Sequence, residues 1–306
     1  MKIEELLLWG GVLVIVGGLA YFYISKNGVP TLPGTGGGGT GTTPGGGGGT
    51  GTAGKDRWGI TKLHPSVGRE WYSKWDNGHA RSWASKGLSQ RNADPDDPES
   101  DLHADTNGSK CSVDGKGKMV MEGSNPRMYI NSPNKKWQNV EMTIYFKSLR
   151  ADPRGSISVF SRLSARSEHQ LEFKCSGSGR TMGGFEIKSN GIVQLRKEIT
   201  HPNYAPDVKA SIKGPGRNVR WGMKLVLRNK GKAILSQCYV DTKANNNWEK
   251  VIERLDSGTP APTSTDLCKA ISSNAIWLEP ATSCYLRCDG NVMEFSNFSI
   301  REIAPA

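Results

Sequence analysis

The stretch Gly184–Ile199 reads GFEIKSNGIVQLRKEI. Before Asn190-Gly191, Phe185 and Ile187 alternate with Glu186 and Lys188; after it, Val193 and Leu195 alternate with Gln194, Arg196 and Glu198. A period of two is the mark of strands with one face on a core and the other turned away. The Asn-Gly pair between them predicts a two-residue hairpin, because both central positions of that turn need positive φ. One sheet face should therefore carry Glu186, Lys188, Gln194, Arg196 and Glu198. It is either an ordinary solvated surface or the floor of a cleft for a polar polymer.

The same reading extends outward. Lys118–Glu122, Asn139–Phe146, Ser156–Leu163, Val219–Leu227, Ala233–Val240 and Val292–Glu302 alternate or are rich in β-branched and aromatic residues, which favours strands. Asn229-Lys230-Gly231-Lys232 and Asp289-Gly290 are further turn signals. Nothing after Lys55 shows sustained helical periodicity. Many strands at short spacing predict an all-β fold, a sandwich of two antiparallel sheets.

Ahead of this domain, Leu6–Ser25 (LLLWGGVLVIVGGLAYFYIS) is uncharged and mostly apolar. Twenty helical residues span roughly 30 Å, the thickness of a bilayer core. The run ends in Tyr21, Phe22, Tyr23 and Ile24, an interfacial aromatic cluster and not the small-x-small site of a cleaved signal. Residues 1–27 are thus expected to be a retained single-pass anchor, 28–55 a flexible Gly/Thr/Pro linker and 56–306 one folded domain. The six cysteines, Cys111, Cys175, Cys238, Cys268, Cys284 and Cys288, contain no C-x-x-C pair. That spacing disfavours zinc and redox motifs and suggests up to three disulfides in an oxidising space. The expectation is a domain outside the cell or on a virion surface.

Forty Lys and Arg against 29 Asp and Glu give a net charge of +11, which suits an anionic partner. An acidic polysaccharide fits better than nucleic acid, for which no binding motif is present. Asp94, Asp96, Asp97, Glu99, Asp101 and Asp105 form an acidic run around Pro95 and Pro98. It is read as a solvated loop, with a structural calcium as the alternative, although the spacing is not that of an EF-hand. No other cofactor is expected. Trp58, Trp71, Trp75 and Trp83 lie close together; burial at one end of the sandwich is favoured over stacking on sugars.

Several segments carry a resemblance: Pro126–Ile130 (PRMYI), Trp137–Glu141 (WQNVE), Arg166–His169 (RSEH), Lys197–Pro202 (KEITHP), Tyr239–Asp241 before Trp248, and Phe298–Ile303 (FSIREI). Together they resemble the concanavalin A-like lectin/glucanase superfamily, which includes β-jelly-roll polysaccharide lyases. The resemblance implies a jelly roll with a glycan-binding sheet, and it covers enzymes and binders alike. The Glu-x-Asp-x-x-Glu strand of laminarinase-like glycosidases is absent, as are the Arg-x-Glu-Leu-Arg and Gln-Ile-His signatures of alginate lyases. A lyase would have to be built from Arg166, His169, Lys197, Glu198, His201 and Tyr204. In that reading Arg166 or Lys197 neutralises a uronate, a histidine is the base and Tyr204 the acid.

The first expectation is therefore a tethered glycan-binding module, with Glu186, Lys188, Gln194 and Arg196 at the sugar. A polysaccharide lyase acting on acidic glycans and a structural envelope or virion protein are the alternatives.

Overall fold

The computed structural model describes residues 53–86, 92–103, 109–123, 125–131, 137–150, 155–163, 181–200, 203–204, 208–260, 275–276, 278–281, 283–290 and 292–306. The apolar run 6–25 lies outside them. No described helix is long and apolar enough to cross a membrane.

The described chain is built from strands. The first seven are β1 (Ser66–Tyr72), β2 (Arg81–Ala84), β3 (Ala93–Asp94), β4 (Asp97–His103), β5 (Lys110–Val113), β6 (Lys118–Glu122) and β7 (Arg127–Asn131). Then come β8 (Val140–Ser148), β9 (Ser156–Leu163), β10 (Thr181–Lys188), β11 (Ile192–Thr200), β12 (Asn203–Tyr204), β13 (Val208–Ser211) and β14 (Arg220–Lys230). The last are β15 (Ala233–Asp241), β16 (Glu249–Asp256), β17 (Thr259–Pro260), β18 (Ala275–Ile276), β19 (Ser283–Asp289) and β20 (Val292–Ile303).

Two nine-stranded sheets result. Sheet 1 runs β16-β15-β14-β8-β20-β6-β5-β2, with β1 on the second half of β20. Sheet 2 runs β12-β11-β10-β9-β19-β7-β4-β3, with β13 also on β11. Within both sheets the pairings are antiparallel. The last two long strands, β19 and β20, sit in the middle of different sheets, each between strands from the first half of the domain. That arrangement makes a jelly roll, as the sequence resemblance implies.

The inner faces follow the predicted alternation. Phe185, Ile187, Val193, Leu195, Ile157 and Val159 from sheet 2 are buried in one core with Met142, Ile144, Phe146, Met223, Leu225 and Phe295 from sheet 1. The turns differ from expectation in instructive ways. Ile187 pairs with Val193 and the Gly191 N–H donates to the Lys188 carbonyl, so the hairpin loop has three residues and only Gly191 has positive φ. Lys230 pairs with Ala233 around Gly231, whose φ of 58° suits a two-residue turn led by glycine. Asp289-Gly290 closes no hairpin, because β19 and β20 belong to different sheets.

The disulfide expectation is corrected for the four described cysteines. Cys111, Cys238, Cys284 and Cys288 are buried thiols that form no disulfide, while Cys175 and Cys268 lie outside the described residues. Burial pushes the thiols of Cys111 and Cys238 well above the usual range, so they behave as small core hydrophobes.

The outer face of sheet 1 is polar yet buried. Glu141 sits there between Lys224 (2.9 Å) and Arg301 (2.6 Å), all at most 1% exposed. The chain at residues 61–66 crosses this cluster: the Leu63 and His64 N–H groups donate to the Glu141 carboxylate at 3.1–3.2 Å, and Arg301 donates to the His64 carbonyl. The Trp248 ring covers Lys224 at 4.5 Å. Gly222 makes room for it, since a Cβ there would lie 2.6 Å from the Trp248 ring and 2.9 Å from Tyr145. Gly222→Ala should accordingly destabilise the domain by about 1–3 kcal/mol, the usual cost of overpacking, as measured by urea unfolding. An unchanged midpoint would show that the indole has another place to go.

Candidate functional site

Strand register assembles a site on the outer face of sheet 2 that no single segment reveals. Lys209 pairs with Gln194, Gln194 with Glu186, Glu186 with Ser158, Ser158 with Arg287, and Arg287 with Arg127. Directly paired residues share a face. Six polar residues from β13, β11, β10, β9, β19 and β7 therefore stand in one row across the sheet. The neighbouring row contains Arg196 opposite Gly184, and further along Tyr285 opposite Tyr129. Lys188 and Asp289, both partners of Ser156, form a third.

The cluster is held by its own polar contacts. Arg196 Nη1 lies 3.0 Å from Glu186 Oε2, and the Gln194 side-chain amide donates to the same oxygen. Arg287 pairs with Asp289 at 2.7 Å, and Arg127 Nη1 donates to the Asn125 carbonyl at 3.0 Å. The Tyr129 and Tyr285 rings are 5.2 Å apart and tilted by 38°. This is not an ordinary solvated face: Glu186 is 4% exposed, Gln194 2% and Ser158 2%. Lys188, Arg196, Arg287 and Asp289 are half-buried, and Lys209 is exposed. Among the described side chains of these rows, five are cationic (Lys188, Arg196, Lys209, Arg127, Arg287) and two are carboxylates (Glu186, Asp289); the backbone register adds Asp101 opposite Tyr129.

The four residues expected at the sugar, Glu186, Lys188, Gln194 and Arg196, are thus together on one face. The set considered for a lyase is not gathered in the same way. Lys197 points to the inner side, where its Nζ lies 2.5 Å from Asp256 on β16 of the other sheet. It is 3% exposed and bridges the sheets. Its ammonium is therefore committed to Asp256, which removes it from the group offered for neutralising a uronate. Glu198 and Tyr204 are backbone partners across β11 and β12. Arg166, His169 and His201 lie outside the described residues.

Sequence reasoning missed Lys209, Ser158, Arg287 and Arg127. Ser158 was legible in part, since Ser156 and Ser158 alternate with Ile157 and Val159. The two arginines were not, because they join the row only through the pairing of β7 and β19, strands separated by most of the domain.

The acidic run is also resolved in part. Asp97 begins β4, and the carboxylates are engaged by neighbouring donors: Asp94 by Arg81 (2.6 Å), Asp97 by Lys74 (3.5 Å), Asp96 by Asn77 (2.9 Å) and Glu99 by Arg69 (2.6 Å). The side chains of Asp101 and Asp105 lie outside the described residues. Among the described residues no group of His, Cys, Asp or Glu is arranged to hold a metal. Trp71, Trp75 and Trp83 are buried, as favoured; Trp58 is half-buried.

No family model matches the chain, and no curated protein matches it. Solved structures similar to it include a carbohydrate-binding module, CBM66, from Bacillus subtilis, at 12% identity and TM-score 0.36 over 60% of this chain and 86% of that one. A Bacillus subtilis protein of unknown function with a galectin-like fold aligns at 12% identity and TM-score 0.39, over 76% and 94%. A Bacillus licheniformis β-glucanase aligns at 11% identity and TM-score 0.42, over 77% and 99%. At such scores these likenesses carry no weight for a site, and the fold rests on strand order.

Proposed function

We propose that this protein is a carbohydrate-binding module that takes an acidic glycan on the outer face of sheet 2. The row from Lys209 to Arg127 supports this reading. The core is already supplied by the inner faces, so the sandwich has no need of a buried polar layer on this side. Burying such groups costs free energy even when they are paired. What the layer does provide is a set of donors and acceptors locked in place, which is what recognition of a hydroxyl-rich ligand requires. Its excess of cations matches uronate or sulfate groups. Arg196 and Lys188 keep accessible surface and would make the first contacts, with Glu186, itself held by Gln194, fixing the Arg196 guanidinium.

The apolar run 6–25 and the Gly/Thr/Pro tract after it support a further part of the proposal, in which the module is tethered to a membrane and faces outward. Protease shaving of intact cells or particles tests that arrangement: release of the domain supports it, and full protection contradicts it.

Binding is tested by affinity electrophoresis in gels containing polygalacturonate or a neutral glucan. The native protein should be retarded by the acidic polymer. Arg196→Ala should weaken retention by roughly tenfold or more, the worth of a charge-assisted hydrogen bond, and Lys188→Ala by less. Equal mobility of native protein and Arg196→Ala in polygalacturonate would sink the proposal.

A further inference from the structure

On the opposite side of the sandwich, beyond the outer face of sheet 1, two cavities meet. One, of about 420 Å³, is lined by Trp58, Lys116, Lys118, Lys147, Glu294 and others. The second, of about 410 Å³, is lined by Tyr145, Asn245 and Asn246 among others. Trp58, Arg220 and Asn297 line both, so the two form one groove.

Its aromatic wall is fixed. The Trp58 Nε1–H donates to Asp76 at 3.0 Å, Arg57 lies 4.4 Å from the indole, and the Tyr72 ring meets it edge-on at 5.2 Å. Its charges are unbalanced. Asp76 is taken by Arg57 at 2.7 Å, and Glu294 by Lys147 at 3.0 Å and Lys118 at 3.7 Å. Among the described residues, Arg220 and Lys116 have no carboxylate partner. Arg220 stacks on Tyr145 at 4.5 Å and donates from Nη2 only to neutral acceptors, Asn297 Oδ1 (2.7 Å) and Ser296 Oγ (3.1 Å). A guanidinium held over a ring, with Nε and Nη1 uncommitted among the described residues, offers the fork that carboxylates and sulfates accept. Around it, the Asn245 side chain and Ser296 suit hydroxyl groups, while the Asn246 amide is held by Gly59, Thr61 and Trp248, and an indole offers apolar surface to a sugar ring.

We propose that this groove is a second binding site, for a saccharide bearing a carboxylate or sulfate, with Arg220 as the anion's partner and Trp58 as the platform for the ring. The choice of a saccharide rests on the function proposed above; the anion preference rests on the groove alone. Two such sites on opposite sheets would let one domain engage two segments of polymer, raising avidity without new contacts.

Calorimetric titration of the full-length protein with a heparin-derived tetrasaccharide, its desulfated counterpart and a tetragalacturonate tests this. Two binding sites are expected. Arg220→Ala should weaken one of them by roughly ten- to a hundredfold, and Trp58→Ala should do likewise. Exposed Lys116→Glu, which disturbs no internal contact, should lower affinity for the charged ligands without changing the unfolding midpoint. The sulfated and uronate ligands report which anion is preferred, and the desulfated one should bind this site weakly. A single site, abolished by Arg196→Ala and untouched by Arg220→Ala, would overturn the groove and leave the sheet 2 reading standing. The reverse pattern would overturn the sheet 2 reading alone. Equal affinity for ATP, tested in parallel, would overturn the saccharide assignment.

Discussion

Glu141→Gln should destabilise the domain by about 3–5 kcal/mol, the range seen when one partner of a buried ion pair is removed. The substitution preserves shape but leaves Lys224 and Arg301, both 1% exposed, with no anion between them. It also weakens the acceptor that holds the Leu63 and His64 N–H groups. Typical domains have only about 5–15 kcal/mol in total, so the variant should unfold at much lower urea concentration, and residues 61–66 should lose amide protection first. Replacing all three charges with apolar residues of similar volume should recover most of the loss.

The same cluster sets an acid limit. Burial alone pushes the Glu141 carboxyl up, but Lys224 and Arg301 outweigh it and hold the group below the usual carboxylate range. A folded value below the unfolded one means that the stabilisation is fully present above the ordinary glutamate value of about 4.3. It is lost as pH falls through the folded value. Native protein should therefore lose stability below about pH 4.3, with a slope that Glu141→Gln diminishes. Identical acid profiles for the two proteins would show that Glu141 is not the titrating group.

The second large effect concerns Lys197. Its pairing with Asp256 joins β11 of one sheet to β16 of the other, close to the edges of both. Lys197→Met leaves the Asp256 carboxylate, 8% exposed, with only Arg254 at 3.8 Å and the Gly258 N–H as partners among the described residues, and should cost about 3 kcal/mol, the low end of the range for a broken buried pair. The double variant Lys197→Met/Asp256→Leu should be markedly more stable than the single one. Polysaccharide binding by the folded double variant should match that of the native protein, because both side chains lie inside. A catalytic lysine would behave in the opposite way: activity would vanish and stability would hardly change.

Much of the fold was legible in the sequence because a strand with one buried face writes its period directly. Lys118–Glu122 and Ser156–Leu163 appear as strands with the expected bounds. Lys224 and Glu141 break no alternation either; their polarity marks the outer face correctly, and only their burial under residues 61–66 was hidden. The strand Asp97–His103 was missed, since its acids and Pro98 read as loop until Lys74 and Arg69 neutralise them from distant positions. The cysteine count misled for a physical reason. A buried thiol packs like a small apolar side chain, so an even number says nothing about pairing until geometry is known.

The candidate site was half legible. Glu186, Lys188, Gln194 and Arg196 share a face by period alone, and one hairpin brings them together. Arg127 and Arg287 join them only through register between strands far apart in the chain, and Lys209 through the pairing of β13 with β11, neither of which alternation encodes. The direction of Lys197 was legible in principle, since it follows Leu195 by two and must share its inward face.

The most direct test of the sheet 2 site is to map the chemical-shift changes caused by tetragalacturonate in the backbone amide spectrum of the isotope-labelled protein. The account predicts that one set of shifts lies along the row from Lys209 through Gln194, Glu186 and Ser158 to Arg287. Saturating ligand that leaves all five of those amides unmoved would contradict it.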